Sequence, residues 1–181
     1  IWSRVASFDA GADRGAFFRP EIGDEVIIGF INADPRDAVV LGMLHSSAKP
    51  APIQAKDVNH EKGFTTRSKM HVHFNDDKKT ITIDTPAGNS IILDESGSTV
   101  KIKDQNNNKI TLDTKGISLQ SPMQIEIKAG TVLTLSAGAS LSISAPSLSV
   151  KADASVSIEG ASARLAAQGP NVISGTPVMI N

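Results

Sequence analysis

No cysteine occurs among the 181 residues, so neither a disulfide framework nor a thiolate site is available. Tyrosine is absent as well, and there is a single tryptophan. Aromatics make up 4% of the chain, and all of them lie before residue 75. A globular core of this size normally leans on more aromatic area than that. The two ends of the chain are therefore built differently. Charge of one sign is also missing: the formal net charge is −1. That balance gives no footprint for nucleic acid or for an anionic membrane surface. No apolar run approaches the ~20 residues of a transmembrane helix. There is no signal peptide, but Ile1 is not an initiator methionine. The chain is expected to be a fragment from which targeting signals have been cut.

What the chain has is repetition. In "SLSISAPSLSVKADASVSIEG" (140–160), Leu141 and Ile143, Leu148 and Val150, and Val156 and Ile158 form apolar pairs with one residue between. Pairs of this kind begin at Ile81 and Ile83 and continue through Ile91 and Leu93, Val100 and Ile102, Ile110 and Leu112, and Ile117 and Leu119. Ile125 with Ile127 and Leu133 with Leu135 follow. The tail is less regular, with Leu165, Val172, Ile173, Val178 and Ile180. The spacing starts at nine or ten residues and settles at seven or eight. Alternation at period two marks a strand with one wet and one dry face. Gly, Pro, Asn and Ala fill the corners. No helical period is present, and β-branched residues and glycines at this density oppose one.

Residues 1–48 read as short strands of a compact β unit, with "DEVIIGFI" and "AVVLGML" flanking the turn "NADPRD". Residues 49–62 contain two prolines and little pattern, as a linker or strap would. The repeat runs as a shaft over 63–130 and a tapering needle and tip over 131–181. Charged residues are frequent up to Lys128, and beyond 130 only Lys151, Asp153, Glu159 and Arg164 remain. Outward positions there become Ser, Ala and Thr, which makes a slimmer rod.

A strand with two apolar residues cannot bury them alone, whereas stacked copies can. Two architectures compete. A single-chain solenoid would coil on itself with some 20 or more residues per coil, commonly with unequal faces. Alternatively, three identical chains wind about one axis, each giving one strand per face. The uniform eight-residue beat favours the trimer, which also leaves no long open sheet edge. About two dozen aliphatics at ~1.5–3 kcal/mol each give tens of kcal/mol per chain, most of it cancelled by conformational entropy. A monomer would leave that face wet, so folding over this region is expected to depend on assembly.

Several stretches carry a family resemblance. "FFRPEIGDEVIIGFINADPRDAVVLGML" (17–44) resembles the small OB-fold domain of spike proteins of contractile injection machines. These are the VgrG proteins of type VI secretion and the central spikes of contractile phage tails. Pro20, Ile22, Gly23, Glu25 and Val26 match their strand-entry run; Ala33-Asp34-Pro35 stands where they have a Gly-Asp-Pro-like turn. "GFTTRSKMHVHFNDDKKTITIDTPAGNSIILDES" (63–96) is similar to the junction at which their triple-stranded β-helix begins. The resemblance implies an all-β chain: a partial OB-fold barrel, its first strand expected before Ile1, then an intertwined trimeric triple-stranded β-helix. It implies a non-enzymatic, homotrimeric, membrane-piercing spike that delivers a tip protein or effector. Tube and baseplate proteins would sit on its N-terminal side. Such a spike is made in the cytoplasm, assembled in the machine and expelled into the extracellular space or a target cell. About 13 strand layers at ~4.7 Å make a rod of about 60 Å, enough to cross the ~30 Å hydrocarbon core of a bilayer.

Candidate sites are few. His71 and His73 alternate and point the same way on a strand. In a trimer six imidazoles would gather near the axis, and neutral imidazole binds transition metals. The alternative is that they fill space or face solvent where the shaft starts. Asp76–Asp77 and Asp94–Glu95 are adjacent, so on a strand they face opposite sides and make no acid/base pair. No serine lies in a nucleophile elbow, and no phosphate loop occurs. No enzyme and no cofactor is expected. The terminal Val178, Met179 and Ile180 would form a blunt apolar end, an aggregation liability unless covered. In the family, a PAAR-repeat tip protein sits there; otherwise the tail folds back and seals itself. The rival reading is a β-solenoid adhesin or carbohydrate-binding fibre, although such fibres usually display aromatic platforms. A lysozyme-linked phage spike, its enzymatic domain outside this chain, is a third.

Overall fold

The computed structural model describes residues 2–179. It contains twelve strands and no α-helix among them. The first group is a three-stranded sheet of β1 (Arg4–Val5), β4 (Glu25–Phe30) and β5 (Ala38–Leu44). β5 lies in the middle, parallel to β1 and antiparallel to β4. The β4–β5 ladder is interrupted by a bulge between Ile27 and Ile28. A small hairpin, β2 (Ala10–Gly11) and β3 (Arg14–Gly15), completes the group. Ala38 and Val40 on β5 are the buried apolar residues. Their burial follows from the central position of β5 in the sheet, between β1 and β4.

The turn between β4 and β5 is a single 3-10 turn at Ile31–Ala33. Asn32 and Ala33 take φ of 52° and 59°, the left-handed region. Asparagine tolerates that region better than most residues, and alanine does not. Ala33 is where the related motif carries glycine. Asp34 holds the turn shut. Its carbonyl accepts the Asp37 N–H at 3.0 Å, and its carboxylate receives the Arg36 guanidinium at 2.6–3.1 Å. The ion pair lowers the Asp34 carboxyl and raises the Arg36 guanidinium.

Residues 45–60 contain no strand. Seven strands follow as a meander: β6 (Glu61–Thr65), β7 (His71–Asn75), β8 (Thr80–Asp84), β9 (Ser90–Asp94), β10 (Thr99–Lys103), β11 (Lys109–Asp113) and β12 (Gly116–Gln120). Each strand has five residues and pairs antiparallel with its sequence neighbour. Within 61–120, then, strands pair inside one chain. Nine or ten residues hold a five-residue strand and a connection of four or five, and β12 follows β11 with only Thr114 and Lys115 between them.

The turns alternate in kind. Along one side Thr66–Met70, Thr85–Asn89 and Asp104–Asn108 enclose three-residue loops. In each, the carbonyl of the first residue accepts an N–H from Lys69, Gly88 or Asn107, at φ of 61°, 95° and 66°. This is a type I turn followed by a left-handed residue, the three-residue hairpin connection. Along the other side Asn75, Asp94 and Asp113 open the loops. Their side-chain oxygens accept the N–H groups of Lys78, Gly97 and Lys115 at 2.8, 2.7 and 2.8 Å. Both sets of turn residues recur at intervals of 19. The sheet is thus a two-strand unit used three times over, with β6 as its first edge.

Two Cα-contact units divide the chain at Ile127 and Lys128. In the second unit the described residues form no strand. They run as extended segments with bends at 130–131, 138–139, 146–147, 153–154, 160–161, 168–169 and 176–177. The interval is seven or eight residues, and Gly or Pro occupies most bends. Every described residue from 122 to 179 is exposed.

Two outcomes follow. Ala33→Gly is expected to relieve about 1–2 kcal/mol of left-handed strain. The greater freedom of glycine in the unfolded chain returns about half of that, leaving a net gain of about 0.5–1 kcal/mol. Hydrogen-exchange protection of the β5 amides reads this locally; unchanged protection would contradict it. In the turn after β10, Asp104 accepts from the side-chain amides of Asn108 and Asn106 and from both backbone N–H groups. Those bonds hold its carboxyl below 3.8. A depressed carboxyl supports the folded state above its unfolded value, and that support is lost as pH falls through the folded value. An NMR titration should place Asp104 below its value in the urea-unfolded chain, and Asn108→Ala should move it upward.

Candidate functional site: the uncovered apolar face of the sheet

Strand alternation and register together decide what each face of the meander carries. Lys62, Phe74, Ile81, Leu93, Val100, Leu112 and Ile117 lie in one row across the seven strands. Phe64, Val72, Ile83, Ile91, Ile102, Ile110 and Leu119 form a second row beside it. Each residue faces its row neighbour directly across the ladder, so the apolar pairs of β7 to β12, continued by Phe64 on β6, merge into two columns. The opposite face carries Thr82, Asp84, Ser90, Lys101, Lys103, Lys109, Thr111 and Gln120, with Ile92 among them, a mostly polar surface. There Lys103 stands directly across from Lys109, a like-charge pair that only water on both sides makes tolerable.

The columns are not covered by the chain's own residues. Ile83, Ile102 and Leu112 are 43%, 41% and 38% exposed, and Ile117 reaches 74%. Ile91, Ile102, Ile110, Leu119 and Ile125 line an open trough along one column. The accessible area of the chain is 16440 Å². A compact monomer of this mass exposes about 8,400 Å². An uncovered apolar face of this size marks an interaction surface.

At the first edge of the sheet the columns meet the N-terminal sheet. Phe18 stacks on Phe64, with ring centroids 5.3 Å apart and 10° between planes. The Arg67 guanidinium binds the Glu21 carboxylate at 2.8 Å. Lys62 pairs with Asp76, which lowers the Asp76 carboxyl. Sequence alone showed the strand pattern of residues 63–96 and missed these links. The alternation of Lys62, Phe64 and Val72 is a signal for the face, but nothing in the pattern points to Phe18.

His71 and His73 share one face of β7, as alternation requires, but it is the hydrated face, opposite Val72 and Phe74. An apolar axis and an axial imidazole cluster are therefore mutually exclusive on this strand. His71 Nδ1 lies 3.0 Å from Asp84 Oδ2, directly across the ladder. The two imidazole rings stack at 4.8 Å. Asp94 caps its own turn, while Asp76 and Glu95 are bound to lysines. At the end of the chain Val178 and Met179 are exposed, and Ile180 lies outside the described residues.

Comparison with known proteins agrees with the N-terminal sheet. Residues 1–45 match the family model of the type VI secretion system/phage-baseplate injector OB domain. The chain is similar to VgrG spike proteins. Type VI secretion system spike protein VgrG3 of Vibrio cholerae serotype O1 is 33% identical over 70 residues, 39% of this chain and 7% of that protein. VgrG4b of Pseudomonas aeruginosa is 38% identical over 53 residues, 29% of this chain and 7% of the relative. VgrG1a of the same organism is 30% identical over 67 residues, 37% of this chain and 10% of its own length. The matched stretches are thus a small part of these spike proteins. The all-β class and the OB-like start stand on these findings together with the strands.

Proposed function

We propose that this chain is part of a structural spike in a contractile injection machine, and that three copies assemble along a common axis. The observation that carries this reading is the pair of uncovered apolar columns. Three sheets facing inward would cover six columns with one another and leave the lysine-bearing faces in water. Beyond residue 120 the argument continues in the backbone. Extended segments with no sheet partner of their own leave N–H and C=O groups for another strand. Bends every seven or eight residues suit a chain that passes from one side of a three-sided needle to the next. In this reading 1–48 is the end of the OB domain, 49–62 the linker, 63–130 the shaft and 131–181 the tapering needle and tip.

A piercing device must be stiff along one axis and resist forced unfolding. A continuous ladder of backbone bonds around a dry aliphatic core supplies both. The part is mechanical and performs no reaction of its own. It would be driven through a target membrane by contraction, carrying a tip protein of the PAAR-repeat kind or an effector, with tube and baseplate proteins behind it. The adhesin reading finds less support, because the trough, lined by aliphatic and polar side chains, holds no aromatic platform.

Light scattering of the purified chain should return three times the 19.0 kDa chain mass. Ile102→Asp, in the middle of a column, should reduce this to one chain, while Lys101→Glu on the opposite face should not. A well-folded monomer at micromolar concentration would refute the trimer. For the tip, the intact chain should retain a conical cap protein that a chain ending after Gly169 does not. Equal recovery would remove Val178, Met179 and Ile180 from that role.

A further inference from the structure

We propose that His71 and His73 form a binding site for a borderline transition-metal cation, such as Cu(II), Ni(II) or Zn(II), on the hydrated face of the sheet. The site is distinct from the apolar columns and does not depend on the spike reading. Two imidazoles at positions i and i+2 of one strand project from the same face. Here the rings lie 4.8 Å apart with 24° between planes, and rotation about their side-chain bonds would turn one nitrogen of each toward a shared ion.

Each ring is held by its surroundings. His71 is oriented by Asp84, whose carboxylate takes Nδ1 at 3.0 Å. With Nδ1–H donated to the carboxylate, Nε2 is left as the basic nitrogen, the arrangement that metal-binding histidines favour. His73 lies over Gly63, its ladder partner on β6. A Cβ there would collide with the Val72 carbonyl oxygen and stand 2.8 Å from His73 Cδ2, so the ladder and the ring both pack against bare backbone at 63. No hydrogen bond occupies either His73 nitrogen or His71 Nε2 among the described residues.

Among the described residues no group of three His, Cys, Asp or Glu has ligand spacing. The site therefore offers two protein ligands, and water completes the coordination. Imidazole nitrogen suits Cu(II), Ni(II) and Zn(II), while Mg(II) and Ca(II) prefer oxygen. The affinity order should follow Cu(II) above Ni(II) and Zn(II).

Calorimetry of the full chain with CuSO₄, NiCl₂ and ZnCl₂ at pH 7.5 should show one ion per chain. His73→Gln should lose this binding, with the mass in solution unchanged. Asp84→Asn keeps both imidazoles and should weaken the affinity about 10–100-fold through lost orientation of His71. Electron paramagnetic resonance of the Cu(II) form should show coupling to two nitrogens, falling to one in His73→Gln. Absence of binding at millimolar ion, or binding that His73→Gln leaves intact, overturns the site.

Discussion

Everything in this chain answers to a single constraint: a five-residue strand with two apolar side chains on one face cannot dry that face. Antiparallel pairing satisfies the backbone, and register aligns the side chains, but both leave two greasy rows against water. Two buried residues in the N-terminal sheet are a small core for a chain of this length. Stability must come from surfaces that the chain presents outward. Hydrogen bonding and hydrophobic burial, which a globular domain satisfies together, are here separated: the meander satisfies the first and leaves the second undone.

The chain changes its manner of pairing at residue 120. Up to Gln120 the chain folds back on itself at every turn, with as few as two residues, Thr114 and Lys115, between β11 and β12. Past it bends recur every seven or eight residues and the segments between them stay single. A short chemical change, the loss of turn residues such as Asn75, Asp94 and Asp104, separates the two regimes. The N-terminal sheet is tied to the first edge of the meander by the Phe18–Phe64 stack and the Arg67–Glu21 pair. Load applied to one therefore passes directly to the other.

Much of this was legible in the residues alone. The all-β class, and the strand positions and apolar partners between Ile81 and Leu119, follow from alternation, whereas the strands expected at the pairs from Ile125 onward are absent among the described residues. The OB-like start follows from Pro20 to Val26 and the turn after Phe30. Which strand pairs with which was not legible, because period two says which face is dry and nothing about the neighbour. The imidazoles illustrate the same gap. Alternation placed His71 and His73 together, but only register shows that Val72 and Phe74 claim the dry side and that Asp84 stands opposite His71. Gly63 reads as a weak strand residue until its ladder partner is known to be a histidine.

The 19-residue interval of the turn residues has an evolutionary corollary. Duplicating or deleting one such module inserts or removes two strands, about 9.5 Å of sheet, and returns every side chain to its former face. An insertion of odd length elsewhere in a strand would turn the pattern inside out. Shafts of this design can therefore lengthen or shorten by gene-level copying in discrete steps, without redesign of their interior.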